Sequence, residues 1–261
     1  MREIANWRFP FGQPVKKVVQ NDRTPKQIFV LGVYASAVHA KWIDADGKNL
    51  VTALAVASEP YIFWRGDNAK KIVDQITVHP KIGNLLPANQ QFNGPSGIAL
   101  DEFILEPLGL EREDSWLCDL VPNSCVNPSQ KKAIERAYLP IAERYGLPEP
   151  SVPPVPSKLS DEIRRTEIMT ELLESEATTL ILLGDQPIKW FLQYYDSRWK
   201  KLSDFGDDSK QYGKLWSTQL GKKDITVLPL AHPRQIAKLG HSSGKWYNLH
   251  QKWLDNTPMK F

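Results

Sequence analysis

Short, unbroken apolar runs recur along this chain, and most lead into a stretch of helical spacing. Residues 26–32 (KQIFVLG) and 178–184 (TTLILLG) each close on glycine, residues 116–121 (WLCDLV) are apolar but for one acid, and residues 226–230 (TVLPL) lead into Ala231-His232-Pro233. Runs of four to eight residues without polar alternation predict strands buried on both faces of a parallel sheet. Pro233 has no N–H to donate, so the last run stops there and delivers an imidazole to the sheet edge. Helical spacing is predicted over 99–108, with Asp101 and Glu102 near its start and Gly109 as its stop, and over 129–145, with Ser129 as cap. Further helices are expected over 160–174, capped by Ser160 with Asp161 and Glu162 in the first turn, over 187–195, and over 246–254. Residues 38–43 and 50–57 flank an Asp46-Gly47 turn and predict a β-hairpin. Residues 85–97 (LLPANQQFNGPSG) are expected to be loop. Strands separated by helices define an α/β fold: a three-layer α/β/α sandwich with a central, mainly parallel four-stranded sheet plus the added hairpin. One domain over 1–261 is expected, with the proline-dense stretch 146–157 as an extended crossover inside it.

Composition narrows the chemistry mostly by exclusion. With 261 residues, 41% of them apolar and nine Trp, the chain can bury a sizeable core. No run of about 18 apolar residues occurs that could span a bilayer, and residues 1–15 lack a signal-peptide pattern, so a cytoplasmic protein without a membrane partner is expected. Two cysteines, Cys118 and Cys125, are too few for a disulfide scaffold or a four-thiolate metal site. A net charge of +3 permits an anionic partner without demanding one. No nucleophile elbow, dinucleotide fingerprint or phosphate loop is present, and His79, His232, His241 and His250 lack the helix-borne spacing of zinc hydrolases, so neither a metal nor a cofactor is expected.

Four segments together resemble a known family. Gln91-Phe92-Asn93-Gly94-Pro95-Ser96-Gly97 through Asp101, then Leu108-Gly109-Leu110-Glu111-Arg112-Glu113-Asp114, Trp116-Leu117-Cys118-Asp119-Leu120-Val121, and Leu182-Leu183-Gly184 with the later His232-Pro233 look like the uracil-DNA glycosylase superfamily. The branch patterned PFVG-x-AG, GL-x-RED, VYITN is similar. The resemblance spans roughly 26–254 and implies an N-glycosidic hydrolase of base excision repair that binds DNA with a damaged base flipped out of the stack, as a monomer. It further implies that Phe92 stacks on the base, that Asp119 reads the base edge, and that His232 stabilises negative charge gathering on a base carbonyl. Gly32 and Tyr34 would line the base site, and Arg234, Lys238 and His241 would contact the DNA strand.

Departures from the family pattern shape the expectation, among them the hairpin over 37–57, which the pattern does not lead one to expect and which would rim the pocket. After Gly32 the chain continues Val33-Tyr34-Ala35-Ser36, with no carboxylate or amide to activate water, leaving Asp119, Ser36 or His39 as substitutes, or hydrolysis lost. The iron–sulfur cluster of the similar branch is excluded by the cysteine count. Asp119 stands where asparagine is usual, and an ionised carboxylate only accepts hydrogen bonds. It would suit a base edge with two donors, or imitate the amide when protonated, so a deaminated or otherwise damaged base other than plain uracil is the expected substrate. The competing expectations are a catalytically silent nucleic-acid or nucleobase binding protein of the same fold, and an α/β enzyme acting on a small metabolite. Clustering of Arg234, Lys238, Lys245 and Lys41 would favour a polymer partner.

Overall fold

The computed structural model describes residues 6–239 and 244–256. Among the described residues there are eight strands: β1 (Ile28–Tyr34), β2 (Ala37–Ile43), β3 (Asn49–Ser58), β4 (Asn84–Pro87), β5 (Ser115–Val121), β6 (Thr179–Leu183), β7 (Trp216–Leu220) and β8 (Lys223–Leu230). They form a five-stranded sheet of order β5-β1-β6-β8-β7 and a three-stranded sheet of order β3-β2-β4. Among the described residues, no helix is long and apolar enough to cross a membrane. By compactness the chain groups into two units, the first built from residues up to 18, 35–95 and 122–156, the second from 19–34, 96–121 and 157 onward.

The second unit carries the α/β fold. Strands β5, β1, β6 and β8 run parallel, at the four positions where the sequence places unbroken apolar runs, and β7 joins the edge antiparallel to β8. Every residue of β5 and β6 is buried, so both faces of the sheet are covered there. The sheet therefore has five strands where four were expected. β7 escapes the apolar-run criterion because it is an edge strand whose residues alternate between half-buried and exposed positions up to the buried Leu220 at its end. Pro229 sits inside β8 without breaking it. Thr226 N–H donates to Thr178 O on the β6 side, so alternation turns the amide position of Pro229 toward β7, whose pairing ends at Val227. Helix Glu162–Glu174 begins with Asp161 accepting from Arg164 N–H, so the cap is Asp161, one residue beyond the expected Ser160.

The first unit is an antiparallel sheet with helical cover. The expected hairpin exists as β2 and β3, and β4 adds a third strand through Ala40↔Pro87 to Ile43↔Asn84. Residues 85–97 are thus not a loop throughout. They contain most of β4, a 3-10 turn at Gln90–Phe92 and the start of helix Pro95–Leu100. The short ladder is extended by a side chain: Asn93 Oδ1 accepts from His39 N–H at 2.8 Å, and its amide donates to His39 O at 3.0 Å and Ala88 O at 3.1 Å. Gln130 does the same for β3, accepting from Ala55 N–H and donating to Ala53 O. Its helix, Pro128–Ala133, is capped by Asn127 rather than by Ser129. The core gathers Phe11, Trp42, Leu54, Val56, Trp64 and Tyr138. The proline-dense stretch is extended and anchored, with Val126 N–H donating to Pro153 O and Ser151 N–H to Arg8 O.

Candidate active site

In open α/β sheets ligands bind at the carboxyl ends of the strands, where the strand order reverses. Here β1 is that point, because the chain places β5 on one side of it and β6, then β8, on the other. The carboxyl edge presents Asp119 from β5, Gly32 to Tyr34 from β1, Gly184 after β6 and His232 after β8. Register pairs Gly32 with Asp119, Leu31 with Leu182, and Leu183 with Leu230, which puts these positions at nearly one level. Asp119 and His232 stand three strand spacings apart, about 14 Å between backbones.

Asp119 is buried at 4% exposure within an otherwise apolar strand. Alternation sets its orientation. Trp116 and Cys118 meet Glu171 and Arg164 of helix Glu162–Glu174, so the carboxyl of Asp119 faces the other side of the sheet. Burial pushes its pKa up to about 7, against the opposing pull of the Arg164 charge and a hydrogen bond from Val33 N–H. Although β1 itself supplies no carboxylate after Gly32, its neighbour thus places one beside Val33. Arg164 fixes the strand end from behind, donating to Leu120 O at 3.1 Å, to Asp119 O at 2.7 Å and to Glu171 at 3.3 Å. No sequence signal marks Arg164, since its carbonyl partners lie more than forty residues earlier.

His232 caps helix Pro233–Ile236. Its Nδ1 accepts from Arg234 N–H at 3.2 Å, and its own N–H donates to Gln235 Oε1 at 3.2 Å. Gln235 stands three residues after the cap, a capping-box spacing visible in the sequence. Burial lowers the imidazole pKa to about 4, helped by the charge of Arg234, so the ring is neutral near pH 7. With Nδ1 occupied as an acceptor, the neutral ring carries its proton on Nε2 and is a hydrogen-bond donor there. Gly184 makes room for it. At φ +84°, a Cβ on Gly184 would lie 3.3 Å from His232 Cβ.

The other expected site residues divide. Gly32 is buried and Tyr34 exposed on β1. Arg234 is exposed, its guanidinium donating to Leu239 O at 3.3 Å, and Lys238 is exposed with its ammonium 3.8 Å from the Tyr247 ring centroid. His241 lies outside the described residues. Lys245 pairs with Asp207. Phe92 and Lys41 belong to the first unit, so the site built here consists of second-unit residues alone. Phe92 is half-buried beside the Asn93 clamp. His39, also in the first unit, has its pKa lowered to about 4 by burial, against hydrogen bonds to the Ala37 and Phe92 backbone. No group of three or more His, Cys, Asp or Glu among the described residues could hold a metal ion. A groove along Thr178, Ser217 to Gln219 and Asp224 to Thr226 lies at the opposite end of β6 and β8 from His232. Comparison with protein-family models and with curated proteins gave no match.

Proposed function

We propose that this protein hydrolyses the N-glycosidic bond of a deaminated or otherwise damaged base in DNA, other than plain uracil. The observation that carries the reading is the presence, at one sheet edge, of a carboxyl group with pKa near 7 and of a neutral imidazole whose Nδ1 is engaged as an acceptor, which leaves Nε2–H as its donor. In such a reaction water adds to C1′ of the sugar as the C1′–N bond breaks, and the bonding electron pair leaves with the base. Negative charge then collects on the base carbonyl. A neutral donor held by its own backbone contacts stabilises that charge without reorganising, an effect worth about 10²–10³ in rate. Asp119 supplies the second function. Ionised, it accepts the proton of the attacking water, for which a pKa near the working pH is suited. Protonated, it donates to a base carbonyl, as an amide would. The exposure of Arg234 and Lys238 just beyond His232 supports the reading of both as contacts for strand phosphates.

The test is incubation with oligonucleotides carrying a panel of deaminated bases and uracil, scored as alkali-labile abasic sites. One or more damaged bases should be released in preference to uracil, and His232→Ala should slow release about 10²–10³-fold. Asp119→Asn separates its two roles: a lost base abolishes release, whereas a lost reader shifts which base is released. Equal or faster release of uracil removes the substrate assignment, and an unaffected His232→Ala variant removes His232 from its role. The absence of any carboxylate in Val33-Tyr34-Ala35-Ser36 favours a second reading, a nucleic-acid binding protein that does not cut. That reading takes over if no base is released while oligonucleotide binding persists and weakens steeply with salt.

A further inference from the structure

A buried hydrogen-bond chain runs behind His232 and ends on the residue before it. Ala231 N–H donates to Tyr212 Oη at 3.0 Å, Tyr212 Oη lies 2.8 Å from His250 Nδ1, and His250 Nε2 lies 2.7 Å from Phe103 O. One proton arrangement satisfies every member. A backbone carbonyl only accepts, so Nε2 carries the imidazole proton. Nδ1 then accepts from the Tyr212 hydroxyl, whose oxygen keeps a lone pair for Ala231 N–H. His250 is fully buried, and burial lowers its pKa to about 4, which keeps the ring in this neutral form near pH 7.

The position of the chain gives it a use. β8 ends at Leu230, so Ala231 N–H has no strand to pair with, and the Tyr212 hydroxyl stands where one would be. On the other side of β8, Gly184 N–H donates to Leu230 O at 2.8 Å. The backbone leading to His232 is therefore held from both sides, and Gln235 then holds the His232 amide. The segment bearing Tyr212 is shaped to reach it. A Cβ at Gly213 would lie 2.3 Å from the Trp253 ring, on the same helix as His250, so only glycine lets the two approach. The path does not contain His232 itself. It fixes where the imidazole starts.

We infer that Tyr212 and His250 are positioning residues for His232, holding Ala231 so that the imidazole presents Nε2–H at the sheet's carboxyl edge. The inference rests on the reading of His232 as the carbonyl donor, and its test separates the two. Histidine-selective ¹⁵N spectra of the whole protein report which His232 nitrogen carries the proton, with no substrate present. Tyr212→Phe and His250→Leu should leave the fold intact by circular dichroism, mix the two His232 tautomers, and lower kcat for base release about 10²-fold with KM little changed. His250→Gln, whose amide offers one acceptor and one donor like the neutral ring, should restore the wild-type His232 signals and most of the rate. Should the wild type release no base while Tyr212→Phe still disturbs the His232 ring, positioning stands and the glycosylase reading falls. Should Tyr212→Phe lower only the melting temperature, with His232 signals and kcat unmoved, the positioning role is refuted.

Discussion

Replacing Asp119 by Asn is expected to make the protein more stable, and increasingly so as pH rises. The carboxyl has its pKa moved from an ordinary 3.8 to about 7, mainly by burial. A shift of roughly three units at 1.36 kcal/mol each amounts to about 4 kcal/mol, and at 4% exposure little solvent screening reduces it. The sign follows from proton counts. Between about pH 4 and 7 the folded state keeps a proton that the unfolded chain has released, so stability is full below pH 4 and falls as pH rises toward 7. Asparagine has no charge to bury, and its carbonyl can still accept from Val33 N–H. Urea unfolding of both proteins at several values from pH 4.5 to 8 provides the measurement, and histidine titrations common to both cancel in the difference. The variant's advantage should be small at the acid end and approach 4 kcal/mol at pH 8. A difference that does not change with pH, or a variant less stable at pH 8, would refute the argument that an ionisable group is buried there at a stability cost.

Three further substitutions test the scaffold. Arg164→Met should cost about 3–5 kcal/mol in unfolding free energy, because it leaves the carbonyls of Asp119 and Leu120 without this donor and the Glu171 carboxylate buried without its counter-charge. Gly184→Ala should cost about 1–3 kcal/mol, since its φ of 84° and ψ of −170° lie where side chains are not tolerated, and should slow base release by pressing on His232. Asn93→Ala should cost about 1–3 kcal/mol, mainly for the buried Ala88 carbonyl and the His39 amide it abandons, since His39 O keeps its bond from Ala88 N–H. Faster hydrogen exchange at the His39 amide would report the loosened clamp.

The parallel strands were legible because burial on both faces leaves no room for polar alternation, and 178–184 and 116–121 carry that signature plainly. β7 and β4 were not. The first is half-exposed at an edge, and the second is four residues long, with a ladder completed by the side chain of Asn93. Caps missed by one or two residues, as at Ser129 and Ser160, reflect neighbouring residues able to make the same bond. In the site, Asp119 stood out as an acid in an apolar run that needed a partner, and Val33 N–H is a partner that offsets only part of its burial. Arg164, Tyr212 and His250 gave no warning. Buried networks join residues distant in sequence, and no local spacing encodes them.

The most direct measurement is a crystal structure with an oligonucleotide carrying a damaged nucleotide made resistant to cleavage by fluorine at C2′. The expected result is one flipped base at the carboxyl ends of β1 and β6, with His232 Nε2 donating to its carbonyl and the Asp119 carboxyl at the opposite edge. A base held on any other face of the protein, with neither side chain in contact, would contradict it.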